Sequence, residues 1–467
     1  MTYVALALVV TFIVVATGRW GWHPFLVLLL GAYGAGFALG LDPVSLTDTL
    51  GAGFGGTLGS IGVVIAVGTM IGVILEASGG ARVLADTMLG WVGVRRASMA
   101  LGAAGAVVSI PVFCDSGFVL LAPVKRSLAR QSGLPRAELA VSLGMGLYAS
   151  HVFIPPTPGP VAAAGELGAD LGLVLLLGLV VTVPVLVTTQ AFARRMAARL
   201  ARKSVGDAES RSSFALEVTD DDGRAPSSME PSGADAPRGP GRLAAFAPVA
   251  LPALLMGLRS LLLSSGLEGG AVRVISFVGH PTTALLLGLG AAIPMGIRVT
   301  RGGDNAAALV KGWMERALQS AGPIVLITGA GGALGGVLKA SSLGSDLSAA
   351  LGHAEFGVFA PVAPFLVAAA FKTAIGSSTV AIVTTASILA PIAPVLGFDS
   401  GPGLALMTLA IGAGSMTVSH ANDSYFWVVS QFSGMGVGEA YRMHTLGSLV
   451  AGLTGLVTVL VLRLALN

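Results

Sequence analysis

Charge is what this sequence has least of. Of its 467 residues, 11% are Asp, Glu, Lys or Arg and 54% are hydrophobic. A soluble chain of this size carries about twice that charged share, so a water-soluble fold is excluded. The net charge is only +3, and the basic residues gather at the ends of apolar segments. That placement reads as membrane topology and excludes a nucleic-acid footprint. There is a single cysteine, Cys114, inside an apolar run, so no intrachain disulfide is expected and the thiol reads as a small buried hydrophobe. Metal-ligand spacing, a Walker-type phosphate loop and an acyl-transfer motif are all missing, so the expectation is no metal, no cofactor and no enzyme. No basic stretch precedes YVALALVVTFIVVATG, which therefore reads as a retained first span and not as a cleaved signal peptide.

What is abundant is apolar length and glycine, with 66 glycines. Apolar runs cover 3–17, 25–40, 58–77, 98–112, 139–154 and 171–192, and Arg19, Trp20 and Trp22 suit a membrane interface. Residues 41–57 are more polar and end in clustered glycine, which predicts a loop or a short surface helix. Glu76, near a segment end, reads as snorkelling or capping, and His353 and His444 also lie near segment ends without an assigned role. RRMAARLARK, after Phe192, marks a cytoplasmic end. Residues 204–242 are rich in Ser, Pro, Gly and Asp with no hydrophobic period, as in a disordered linker. The expected organisation is a first membrane half at 1–193, a polar cytoplasmic linker at 194–243 and a second membrane half at 244–467.

Two stretches, Ser109 to Gly165 and Phe371 to Gly438, are apolar enough for a membrane yet broken by proline, glycine and ionisable residues. Hydrocarbon does not tolerate exposed backbone polar groups or unpaired charge, so such stretches imply a cavity lined by protein or water. They also echo each other. GTMIGVILEASGG is followed in the second half by GGALGGVLKASSLG, the dipeptide Ser150-His151 by Ser419-His420, and IPVFCDSGFVLLAPV by KTAIGSSTVAIVTTASILAPI. Interruptions at matching positions of an internal repeat point to the binding site of a secondary transporter. Asp115-Ser116-Gly117 and Gly376-Ser377-Ser378-Thr379 have N-cap chemistry ahead of apolar helical residues. Two helix starts meeting at mid-membrane would favour an anion.

The blocks GFGGTLGSIGVVIAVGTMIG, IPVFCDSGFVLLAPV, SHVFIPPTPGPVAAAG, GSSTVAIVTTA and AIGAGSMTVSHANDSYFW resemble the signature blocks of the gluconate permease family of proton symporters. The likeness runs from about Gly53 to Gly438. It implies uptake of gluconate or a related sugar acid driven by protons, with D-serine or a short hydroxy acid, carried with protons or sodium, as the alternative. It also implies an all-α polytopic fold of two inverted-repeat halves with re-entrant hairpins and broken transmembrane helices, and a homodimer in an inner membrane. The chain departs from the family at Thr157, where a histidine is common, at Lys372 and Ile375, where arginine and glutamine are usual, and at Tyr425, where glycine is common.

Taken singly, Asp115 and Asp423 are carboxylates in apolar surroundings, where charge is costly, and each suits the proton or substrate hydroxyls; capping is the structural alternative. Lys372 either neutralises the substrate's charge or snorkels from a helix end. Ser377, Ser378 and Thr379 suit substrate contact through hydroxyls and backbone N–H groups, as do Ser116 and Gly117 in the first copy. His151 and His420 occupy matching positions and suit proton handling or hydrogen bonding. Asn422 and Ser424 add polar groups for polyol oxygens. Thr157 would fix an unwound stretch, with Gly159 permitting close backbone approach. A membrane-embedded enzyme built on the histidines and aspartates, and a passive channel, are the rival readings. Neither accounts for the paired interruptions.

Overall fold

The computed structural model describes residues 2–92, 96–210, 239–265, 269–300, 305–343, 346 and 357–466. Among these, all regular structure is helical, and eight stretches are long and apolar enough to cross a bilayer. The chain opens with α1 (Thr2–Gly18) and α2 (Pro24–Ala38). Next come α3 (Pro43–Thr57) and α4 (Val63–Ala77), joined through a π-helical turn at Leu58–Gly62 into one continuous span of 35 residues. This corrects the loop or surface helix expected at 41–57. Asp42 accepts from the Val44 and Ser45 amides, 3.1 Å each, and Pro43 takes the first helical position, so the start is well capped. Of the glycines that weaken the helix propensity, Gly53 serves close contact. A side chain at Gly53 would strike the Gly332 carbonyl of α14 (Ala306–Ala340).

After α5 (Gly80–Val92), helices α6 (Ala97–Val108) and α7 (Cys114–Ser132) form a first hairpin with its tip at 109–113. A broken helix follows: α8 (Arg136–Phe153), an interruption at Ile154–Thr157, and α9 (Pro158–Leu167). Helix α10 (Leu171–Ser210) closes the first half. It runs past residue 193, where the linker was expected to begin, because the Ala-, Arg- and Leu-rich sequence there is strongly helix-forming. Residues 211–238 of the expected linker, and His353, lie outside the described residues. The second half has α11 (Arg242–Ser264), α12 (Gly270–Val278), α13 (Pro281–Val299) and α14, and then repeats the order of the first. A hairpin of α15 (Val362–Ile375) and α16 (Ser378–Leu389) is followed by a broken helix, α17 (Gly401–Met416) and α18 (Ser424–Gln431). Short α19 (Val437–Ala440), a π-helical turn at Tyr441–Thr445 and α20 (Leu446–Leu466) finish the chain.

Prolines break the first of these helices, and the break in the second carries backbone strain instead. The first interruption contains Pro155 and Pro156, and Pro158 takes the first position of α9. The second contains Val418 at φ 58, an αL conformation that a β-branched residue adopts only under tertiary constraint. The broken helix α8–α9 lies at the centre of the protein. Its most apolar stretch is 94% buried, against 33% for α11 and for α20, whose outer faces are left for lipid. Glycine lets α8 sit so close to α6: a Cβ at Gly146 would overlap the Gly102 carbonyl. Gly146→Leu is expected to lower the thermal midpoint in detergent by an overpacking penalty of at least about 1–3 kcal/mol; an unchanged midpoint would contradict this contact.

Candidate functional site

The two hairpin tips and the second interruption enclose a cavity of about 370 Å³. The first hairpin contributes Phe113, Cys114 and Asp115, and the second contributes Ile375 to Thr379. Asn422 to Tyr425 enter from the α17–α18 interruption, Tyr148 and His151 from the last turns of α8, and Ile324 from α14. Helices α7 and α16 both begin at this cavity, so each presents first-turn N–H groups and the positive end of its dipole.

The two starts are built differently. Ser377 caps α16, its hydroxyl accepting from the Val380 amide at 3.4 Å. Helix α7 begins at Cys114 after Phe113, with no side-chain cap, so Asp115 is a first-turn residue and not the N-cap expected of it. Its Oδ2 is 3.9 Å from the Cys114 thiol, and its buried Oδ1 has no partner. A buried acceptor without a donor is costly, which leaves a place for a donor in the cavity beside it.

In the wall of the cavity, at Asp423, lies an ion pair that sequence separation concealed. Lys372 Nζ is 2.6 Å from Asp423 Oδ2, with the lysine side chain fully buried and the aspartate 6% exposed. The ammonium also donates to the Gly376 carbonyl and lies 5.6 Å from the centre of the Tyr148 ring. Asp423 is fully engaged. Oδ1 accepts from the Tyr425 amide at 3.1 Å, capping α18, and Oδ2 accepts from Ser419 Oγ at 2.5 Å. Lys372 therefore neither snorkels nor lines the cavity in this state; its charge is held by Asp423.

The remaining candidates divide. Ser377, Ser378, Thr379, Asn422, Ser424 and His151 line the cavity together with Asp115 and Asp423. Ser378 Oγ is 2.5 Å from the Tyr148 hydroxyl, and His151 Nε2 is 3.5 Å from Thr379 Oγ1, its Nδ1 unpartnered. Asn422 Nδ2 donates to the Thr373 carbonyl at 2.8 Å, tying the interruption to the hairpin tip. His420 does not match His151. It stands off the cavity with Nε2 3.1 Å from that same carbonyl. Ser116 and Gly117 are also off the wall, and Gly117 packs against Leu147. Thr157 donates to the Ile154 carbonyl at 2.6 Å and closes the first interruption, while Gly159 admits Ile382 of α16. Both therefore shape the first break without facing the cavity.

Sequence reasoning missed Tyr148, whose hydroxyl reaches the second hairpin, and the buried neighbourhood of His444. Tyr425 was marked only as a family departure, and its hydroxyl donates to the Gly144 carbonyl of α8 at 2.8 Å. Chemically, the cavity offers N–H groups for an anion, hydroxyl and amide groups for polyol oxygens, and one unpartnered carboxylate oxygen.

Comparison with known proteins finds permeases and transporters that match over nearly the whole chain. A model described as GntP family permease matches residues 1–465. The gluconate permease of Pseudomonas aeruginosa is 34% identical over 99% of this chain and 97% of its own. The low-affinity gluconate transporter of Escherichia coli is 32% identical over 93% and 92%, and the D-serine transporter DsdX of the same organism 30% over 96% and 95%. Among solved structures, the Alcanivorax borkumensis YdaH transporter superposes with a TM-score of 0.62 at 18% identity, covering 95% of this chain and 98% of its own. Neisseria gonorrhoeae MtrF gives 0.63 at 13% identity, with 96% of both chains covered.

Proposed function

This chain belongs to the GntP permease family, and from that premise we propose that it imports gluconate or a related sugar acid by proton symport. It is a multi-pass inner-membrane transporter and not an enzyme. The observation that carries the finer reading is the cavity shared by the two helix starts, with Asp423 of the Lys372–Asp423 pair in its wall. The substrate carboxylate would take the N–H groups of α7 and α16, and its hydroxyls would reach Asp115, Ser377, Thr379 and Asn422. An anion entering this site meets a carboxylate whose charge Lys372 already balances. Protonating Asp423 leaves the ammonium unbalanced, so proton and anion each lower the cost of the other. That mutual dependence is the thermodynamic content of symport. Alternating exposure would follow from movement of the hairpins and broken helices against the remaining spans, with the two halves related by inversion and the transporter working as a homodimer.

A second reading has a specific support. The unpartnered Asp115 Oδ1 would suit an ammonium as well as a hydroxyl, which fits D-serine or a small zwitterion. Radiolabelled uptake into proteoliposomes separates the two. Gluconate is expected to accumulate under an inward proton gradient and to stop accumulating when the gradient is collapsed. Asp115→Asn is expected to reduce gluconate uptake at least about tenfold, an acceptor to a polyol being lost and an amide donor introduced. Accumulation of D-serine but not gluconate would establish the second reading. Uptake that only equilibrates, indifferent to the gradient, would refute proton coupling.

A further inference from the structure

His444 lies in the π-helical turn Tyr441–Thr445 and is fully buried. Turns of this kind recur at functional positions inside helices. Its ring stands edge-on to Tyr425, centroids 5.5 Å apart, and to Phe426 at 6.0 Å. Nε2 is 3.0 Å from Ser419 Oγ, while Nδ1 is buried without a partner. The charges acting on the ring are those of Asp423 and Lys372. Helices α8 and α10 cover the following turn, at Gly447, with Val141 and Phe192. The ring does not line the cavity.

The donor order along this line is fixed by counting hydrogens. Asp423, ionised against Lys372, only accepts, so the one hydroxyl hydrogen of Ser419 points to Oδ2. Ser419 Oγ is then an acceptor toward His444, whose neutral ring must carry its hydrogen on Nε2. That leaves Nδ1 as the free basic position.

We infer that His444 is the proton donor to Asp423, acting through the Ser419 hydroxyl; this rests on the proton-symport reading above. When movement of the surrounding helices opens the buried Nδ1 to water, a proton binds there and makes the imidazolium. Nε2–H then passes to Ser419 Oγ as the hydroxyl passes its own hydrogen to Asp423 Oδ2. The products are a neutral ring protonated on Nδ1, an intact hydroxyl and a carboxylic acid at Asp423. One positive charge leaves the ring, and Lys372 is left unbalanced toward the cavity. The proton thus reaches the acid through Ser419 and not through the cavity, so proton and substrate can be present together.

Two measurements test this. In nanodiscs with 15N-labelled histidine and no substrate, the His444 signals, assigned by their loss in His444→Gln, are expected to report the Nε2–H tautomer and a titration displaced by Asp423→Asn. An Nδ1–H tautomer at neutral pH, or a titration indifferent to Asp423→Asn, would overturn the assignment. In proteoliposomes with radiolabelled gluconate, His444→Gln keeps an N–H donor but cannot carry a proton. Gradient-driven uptake is expected to fall at least about tenfold further than gluconate–gluconate exchange, and the pH dependence of uptake to flatten. Equal losses in uptake and exchange would reduce His444 to a structural part and overturn the inference. Wild-type protein that moves no gluconate would refute the proposed substrate, and the tautomer measurement would still decide the donor.

Discussion

Lys372→Met is expected to cost about 3–5 kcal/mol of stability, because it leaves Asp423 as a buried carboxylate without its counter-charge. Neither partner of this pair has an exposed escape: the lysine is fully buried, and the aspartate is held by Ser419 and by the start of α18. The same substitution should abolish uptake, since the ammonium is the positive charge that a proton on Asp423 would expose. Stability and transport are separated by the double variant Lys372→Met/Asp423→Asn. Asparagine still caps α18 through its side-chain oxygen, and no net charge remains buried. The double variant is expected to regain most of the lost stability and none of the transport. Thermal unfolding in detergent alongside gradient-driven uptake measures both. A double variant less stable than Lys372→Met would mean that the pair contributes more than charge balance, and a transporting double variant would end the coupling role of both residues.

The pair also marks how far local sequence could be read. Each partner is conspicuous alone, a charge in an apolar run, because the energetics of burying charge is a property of the residue and its immediate neighbours. Their contact spans 51 positions and depends on the second hairpin folding back onto the second interruption. Both hairpins and both broken helices were legible for the same local reason: proline, glycine and capping residues interrupt runs that are otherwise long enough to continue. Helix α3 was not. Its glycines read as loop, while what decides its structure is the burial of Leu46 and Leu50 and close contact with α14, and tertiary contact overrides weak propensity. His444 reads from the sequence only as lying near a segment end, for a related reason: its partner Ser419 is 25 positions away, and only folding brings the two together. The repeat echo placed His151 and His420 as equals, but the second interruption begins before its histidine whereas the first begins after, so one faces the cavity and the other does not.

Gly376→Ala is expected to reduce initial uptake about 100-fold, the order of loss that a displacement of about 1 Å in a reacting or binding group produces. Gly376 is the tip of the second hairpin, at φ +88, where an L side chain is strained in any surroundings. Its surroundings are also closed. The added methyl would fall on the backbone carbonyl of Asn422, so the tip must withdraw from the second interruption. That withdrawal pulls the Gly376 carbonyl from Lys372 and shifts the start of α16, changing the wall and the anion-binding edge of the cavity together. Gly168→Ala is the control. Gly168 ends α9 at φ +71, and nothing lies within 4 Å of where its Cβ would be. It carries the same backbone strain, about 1–2 kcal/mol, but no contact with the site. Its uptake is expected to stay within about twofold of wild type, with a lowered thermal midpoint, since surface strain acts on stability alone. Equal losses of uptake in the two variants would show that backbone strain, and not the seating of the hairpin tip on Asn422, governs transport.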